Sequence, residues 1–217
     1  MGGIEDLDRA ATAAESVPGA ASETLAAVGW LSAAIDADRT AGHFDRWGLA
    51  SAIDARTGDP FLPRPLFEAL HERAGLEASW PIGNAGLLHT YGSLLAHDTA
   101  DRSRERWLGA DLATGLGLDG AHFVPWEGSR TLLDRATEAA AVLLASGGEF
   151  SWYSLAEGRA TRAVLSHEHG GSRALAYAVA PGPGTSPLLV ALLSVAQAET
   201  VRRDLDEAAS RLRWHAA

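Results

Sequence analysis

The sequence predicts an α+β protein: a helical N-terminal two-thirds, then an antiparallel four-stranded meander and a C-terminal helix. Two observations indicate this fold class. Up to Gly148 the apolar residues recur mainly every three or four positions, which is the spacing of one helix face. Beyond Gly148 they recur every second position, which is the spacing of one strand face. We therefore expect a helical part over 1–148 and a ββββα part over 149–217, packed together as one compact domain.

The first helices are separated by turn signals. An acidic helix is predicted over 4–14, and Ser22 is placed to cap the next helix. The inward face of that second helix would hold Leu25, Val28, Leu31 and Ile35. A weaker helical pattern follows over 43–54.

Two further helices have clear end signals. Pro65 is typical of a first helical residue and Gly75 of a helix C-terminus. Ser129 is placed to cap a later helix with a strong apolar face. That face would hold Leu132, Leu133, Ala136, Ala140, Leu143 and Leu144.

Residues 78–97, called the spine below, contain no Asp, Glu, Arg or Lys, although such residues make up 21% of the sequence. From Asn84 onward the large apolar residues fall on one stripe of a helix. They are Leu87, Leu88, Tyr91, Leu94 and Leu95. The opposite side is made largely of small residues, among them Gly86, Ser93 and Ala96. We expect the spine to be a helix that is buried and packed on both sides.

Four strands with short connections are predicted after the helical part, followed by a closing helix over 197–214. The strands cover 149–155, 159–167, 173–180 and 188–195. The last strand is apolar on both faces, so it is either a central strand covered by helices or part of a dimer interface.

The formal net charge of −10 argues against a nucleic acid or an anionic membrane as a partner, because both need a basic surface. A small-molecule ligand or another protein, including a second copy in a homodimer, fits better. The N-terminus has no secretory signal, and the longest uncharged run is too polar to span a membrane. We expect a cytoplasmic protein.

The sequence contains neither cysteine nor lysine, and its richness in Ala, Gly and Arg is typical of a GC-rich genome. Without cysteine there are no iron-sulfur clusters, thiolate zinc sites or disulfides. Without lysine there is no Schiff base, and so no covalently held pyridoxal phosphate. No cofactor is predicted.

The spine carries the first group of candidate site residues. His89 lies among small residues that leave room for a pocket, and a neutral imidazole can act as a general base or acid. Tyr91 completes the catalytic set with it, and Asn84 would bind the substrate. The alternative is a core histidine satisfied by a backbone carbonyl.

A second group lies in the irregular loop at 121–130. His122, Trp126 and Glu127 bring titratable and aromatic groups together there, with Glu127 as the partner carboxylate of the base. A tryptophan that fills a helix junction would explain the same residues. Arg104 is a further candidate for binding a substrate carboxylate or phosphate, although its charged neighbours also suit a solvated face.

His167 and His169 would share one strand face and could both bind a metal. The following Gly170-Gly171 fits an exposed hairpin turn equally well. A metal-dependent enzyme is therefore the third hypothesis for function.

The first hypothesis is a small-molecule enzyme that uses His and carboxylate acid–base chemistry without a covalent cofactor. Hydrolysis, elimination, isomerisation and cyclisation are the reaction types that need no more. Its pocket would lie between the spine and one face of the C-terminal sheet. The second hypothesis is a non-catalytic protein that binds a ligand or forms an oligomer.

Overall fold

The structure is a computed structural model. It describes residues 4–16, 19–53, 58–96, 114, 119–120, 124–125, 130–145, 149–154, 161–169, 172–180, 188–194 and 214–215. The predicted mixture of helices and strands is confirmed. By its internal contacts the chain forms two units, Met1–Arg104 with Arg213–Ala217, and Glu105–Leu212. The division at residue 148 stays a prediction.

The helices within these residues are α1 (Ile4–Ser16), α2 (Ala21–Ala27), α3 (Gly29–Thr40), α4 (Arg64–Ala74), α5 (Ala85–Thr90) and α6 (Leu132–Ala145), with 3-10 turns at His43–Arg46 and Gly92–Leu94. The strands are β1 (Leu49–Ser51), β2 (Ile82–Asn84), β3 (Glu149–Ser154), β4 (Thr161–His169), β5 (Ser172–Ala180), β6 (Leu188–Ser194) and β7 (Trp214–His215). None of the described helices is long and apolar enough to cross a membrane.

The first unit is built on the packing of α1 to α5 against one another. Their inward faces, together with Leu62 in the segment before α4, form a core in which each buried Leu or Phe contributes about 1.5–3 kcal/mol. Its fully buried members include Leu7, Leu31, Ile35, Leu62, Leu66, Phe67, Leu70 and Leu87. Pro65 lies in the first turn of α4, and Gly75 ends that helix at φ 67°, as predicted.

The helix predicted from Ser22 onward is two helices, with a break at Val28. The backbone there has φ −88° and ψ 75°, and the N-cap is Ala20 and not Ser22. Gly29 at the break is a weak helix former. Ser32 Oγ donates to the Leu25 carbonyl at 3.0 Å. This carbonyl, in the last turn of α2, therefore accepts a hydrogen bond although the helix is interrupted. The predicted inward residues are all buried, because the two helices keep the same face toward the core.

The weak helix predicted over 43–54 is wrong. Gly42 takes a left-handed conformation at φ 68°, and the chain then forms a 3-10 turn and β1. β1 pairs with β2 in antiparallel fashion, with Ala50 opposite Gly83, and with β7, where Trp214 lies opposite Ala50. Strand pairing with distant residues overrides a weak local preference.

The spine is buried from Gly83 to Ala96, with His89 only half-buried, whereas Ala78 and Ser79 at its start are exposed, contrary to the prediction. Its helix is shorter than predicted, because α5 ends at Thr90 and a 3-10 turn follows. The small residues are needed for close packing. A Cβ on Gly83 would lie 2.2 Å from His71 Nε2, and one on Gly86 would lie 2.4 Å from Trp47 Cδ1.

In the second unit, α6 contacts β4, β5 and β6. Each of the strands from β3 to β6 pairs with its neighbour in antiparallel register, with Trp152 opposite Ala163 and Val164 opposite Tyr177. Leu132, Leu133 and Ala136 of α6 are buried, as predicted. Ser129 and the predicted closing helix lie outside the described residues, except that Trp214 is in β7 and not in a helix.

Candidate functional site

Asp38, His43 and Tyr91 form a buried polar group in the first unit, called the Asp38 cluster below. Asp38 lies in the last turn of α3, on the same face as the buried Leu31 and Ile35. The left-handed turn at Gly42 reverses the chain and brings His43 back to Asp38. His43 Nδ1 is 2.8 Å from Asp38 Oδ1.

Tyr91 supplies the second donor to the same carboxylate. Its hydroxyl donates to Asp38 Oδ2, and its ring lies 6.1 Å from that of Phe44, between centroids. Asp38 and Tyr91 are both 0% exposed. A buried carboxylate needs such donors, because burying a charge without a partner costs about several kcal/mol in lost hydration.

The contact with Asp38 determines which nitrogen of the His43 ring carries the proton. Because a carboxylate oxygen accepts, Nδ1 carries a proton, so a neutral ring has its lone pair on Nε2. The His43 side chain is 9% exposed, whereas the Asp38 side chain is 0% exposed. A buried Asp that orients a His closer to the surface is the geometry used for general acid–base catalysis.

His71 is held in a different way, by the backbone on both sides. Its Nδ1 donates to the Phe67 carbonyl at 2.7 Å, and its Nε2 accepts from the Asn84 amide at 3.1 Å. Burial lowers the pKa of His71, an effect partly opposed by the hydrogen bond to Phe67. With both nitrogens used within the fold, His71 joins α4 to β2.

Asn84, predicted to bind the substrate, caps α5. Its Oδ1 accepts from the Leu87 amide at 3.0 Å, and its Nδ2 donates to the Phe44 carbonyl at 3.0 Å. This is the N-cap geometry that Asn favours. Both ends of the side-chain amide are therefore engaged within the protein.

His89 and Tyr91, the predicted catalytic pair, differ in surroundings. His89 is half-buried on α5, and its carbonyl accepts from Ser93 Oγ at 2.9 Å. Tyr91 is fully buried and directed to Asp38. Tyr91 is therefore linked, through Asp38, to His43, a histidine absent from the predicted site.

The other predicted site residues fall in two classes. Arg104, His122, Trp126 and Glu127 lie outside the described residues. His167 and His169 lie two residues apart in β4, at the register positions of Ala174 and Ser172. Within the part of the chain that the structure describes, no group of three or more His, Cys, Asp or Glu side chains could hold a metal.

The sequence did contain a signal for the Asp38 cluster. Leu31, Ile35 and Asp38 follow one another at four and three residues, so an acidic residue continues an apolar stripe. A charged residue at such a position must be paired when it is buried. His43 carries no comparable signal, because only the turn at Gly42 brings it to that face.

In comparisons with known proteins, no family model matches the chain, and neither a curated protein nor a solved structure matches it significantly.

Proposed function

We propose that the protein is a small-molecule enzyme that works by acid–base chemistry without a covalent cofactor, with His43 as the general acid or base. The observation that carries this proposal is the 2.8 Å contact of His43 Nδ1 with a wholly buried Asp38. Asp38 would orient the ring and stabilise its charged form, and Tyr91 would hold Asp38 in place. Hydrolysis, elimination, isomerisation and cyclisation are the reaction types that such a pair can serve.

The sequence-based choice of base, His89, stays a competing proposal within the same class of enzyme. It would work with Glu127, and with Trp126, His122 and Arg104 as substrate contacts. Neither proposal needs a metal. His167 and His169 remain the residues of choice if a metal-dependent activity is found.

Turnover of a panel of small esters, lactones, amides and α-protonated ketones by the full chain tests the proposal. On any compound that is turned over, we expect His43→Gln to lower kcat by about 10²-fold or more, the usual contribution of a general acid or base. His89→Gln is the matched control. Its kcat should stay within about three-fold of wild type, since His89 takes no part in proton transfer when His43 is the base. A loss confined to His89→Gln would transfer the role to that residue.

A second candidate, an assembly protein, is favoured by β6. This strand reads LLVALLS and lies at one edge of the described sheet, after β5. An apolar edge strand can pair with a second copy of itself. Size-exclusion chromatography with light scattering should then give twice the monomer mass, and Val190→Lys should restore the monomer because a charged side chain on an edge strand opposes pairing. A wild-type chain that elutes as a monomer would remove this candidate.

For the chain as a whole we propose the arrangement that the sequence predicts, a helical part followed by a four-stranded meander and a C-terminal helix. The antiparallel neighbours from β3 to β6 support the meander. We also propose a cytoplasmic protein whose partner is a small molecule and not a nucleic acid or membrane, which the net charge of −10 supports.

A further inference from the structure

A small cavity lies between α2, α3 and α4 in the first unit, and none of its lining residues belongs to the Asp38 cluster. Its volume is about 290 Å³. Ligand pockets are commonly about 300–1,000 Å³, so this cavity suits a small ligand. Its lining includes an apolar group and a charged group, which are Leu25, Ala26 and Ala69, and Arg39, Arg73 and Glu72.

Two arginines reach the cavity from neighbouring helices and share one carboxylate. Arg73 pairs with Asp36 Oδ2, and Arg39 Nη2 lies 3.0 Å from Asp36 Oδ1. Arg39 Nη1 also donates to the Arg73 carbonyl at 3.2 Å. Each guanidinium has five N–H donors, so these contacts leave donors on both arginines for a further acceptor. The Arg39 and Arg73 side chains are 50% and 42% exposed, which keeps them within reach of a ligand.

Asp36 holds Arg39 by charge more than by directed hydrogen bonding. Although Asp36 Oδ1 lies 3.0 Å from Arg39 Nη2, it is buried and accepts no hydrogen bond from the described residues. Arg39 can therefore turn toward a ligand carboxylate without breaking a hydrogen bond to Asp36 Oδ1, and the ligand carboxylate would replace the Arg73 carbonyl as the acceptor for Nη1.

Glu72 brings a negative charge to the same cavity. It follows His71 on α4 and is exposed, and no ion pair joins it to another described residue. The two arginines, Asp36 and Glu72 together carry equal numbers of positive and negative charges. A dianion such as phosphate would meet Asp36 and Glu72 as repelling charges. A ligand with one negative and one positive group would find a partner for each.

We propose that this cavity binds a small zwitterion, an α-amino acid with a short aliphatic side chain. Its carboxylate contacts Arg39 and Arg73, its ammonium group contacts Glu72, and its side chain lies on Leu25, Ala26 and Ala69. Arginine is suited to the carboxylate because its planar fork donates two parallel hydrogen bonds. The proposal does not depend on catalysis by His43.

Calorimetry and amide chemical-shift titration of the full chain with L-leucine test this site. We expect saturable binding of L-leucine, with shifts in α2, α3 and α4. N-acetyl-L-leucine, which lacks the ammonium group, and 3-methylbutylamine, which lacks the carboxylate, should each bind about ten-fold more weakly, the usual loss when a charged hydrogen-bond partner is removed. Inorganic phosphate should not saturate the site.

Variants separate the two halves of the ligand. Arg73→Gln should weaken L-leucine about ten-fold, whereas Arg64→Gln on the same helix should stay within about two-fold. Arg73→Gln also removes a partner of Asp36 and could unfold the chain, so Glu72→Gln is the second variant. It should weaken L-leucine about ten-fold and leave N-acetyl-L-leucine unchanged, with Glu68→Gln as its control.

Three results would overturn the proposal: no saturable binding of L-leucine, phosphate binding as tight as that of L-leucine, or equal L-leucine affinity in Glu72→Gln and wild type. None of these results bears on the proposed role of His43, because that role is tested by turnover of a different compound at the Asp38 cluster. Conversely, loss of the proposed enzyme activity would not alter the affinity for L-leucine.

Discussion

At the scale of the residue, the two buried histidines His43 and His71 of the first unit have different partners. His43 lies against a carboxylate, whereas both nitrogens of His71 are bonded to the backbone. The first arrangement, in which a carboxylate orients the ring, is the one that general acid–base catalysis uses. The second joins α4 to β2 and requires the ring to stay neutral.

His71 should make stability depend on pH. Burial lowers its folded-state pKa below the ordinary 6.5. As the pH falls through about 6.5, the unfolded chain takes up a proton that the folded ring does not, so the free energy of unfolding decreases. Above that pH the His71 contribution is fully present. Urea unfolding at pH 5.5 and 7.5 should show a smaller difference for His71→Asn than for wild type, and equal differences would disprove this role.

At the scale of the element, the spine shows why glycine is needed between packed helices and strands. Gly83 in β2 lies directly against the ring of His71, and Gly86 in α5 lies against Trp47. Both distances to an added Cβ are shorter than real contacts allow. The neighbouring side chains are buried and cannot move away freely.

Gly83→Ala should therefore lower the free energy of unfolding by about 1–3 kcal/mol, the usual cost of overpacking a core. Gly29→Ala is the matched control, because a Cβ there meets nothing within 4 Å. The control should be neutral or more stable by about 0.4–1 kcal/mol, since it restricts the unfolded chain. Equal destabilisation of the two variants in urea unfolding would contradict this role of glycine in the spine.

Elements with strong local signals were predictable from the sequence, and those made by distant contacts were not. Pro65 and Gly75 mark α4 correctly, since φ preferences act within one residue. β1 was missed because its three residues gain their strand partners from residues 82–84 and 214–215. The break at Val28 was missed because the two helices bury the same face, which preserves the apolar spacing.

At the scale of the whole molecule, the sequence predicted the mixture of helices and strands and the burial of the spine from Gly83 to Ala96. Its candidate site was only partly informative. Tyr91 is in a polar cluster, but with Asp38 and His43, which are 53 and 48 residues away along the chain. Contacts over such separations depend on how α3, the turn at Gly42 and α5 pack together. The local pattern marks Asp38 as a residue that needs partners, but it does not say which residues those partners are.

The central claim is that the Asp38 cluster performs acid–base chemistry and is not only a structural link. The most direct test is the kcat of His43→Gln relative to wild type, on a compound that wild type turns over, with urea unfolding showing that both proteins are folded. We expect a loss of about 10²-fold or more. A folded His43→Gln protein with wild-type kcat would contradict the claim.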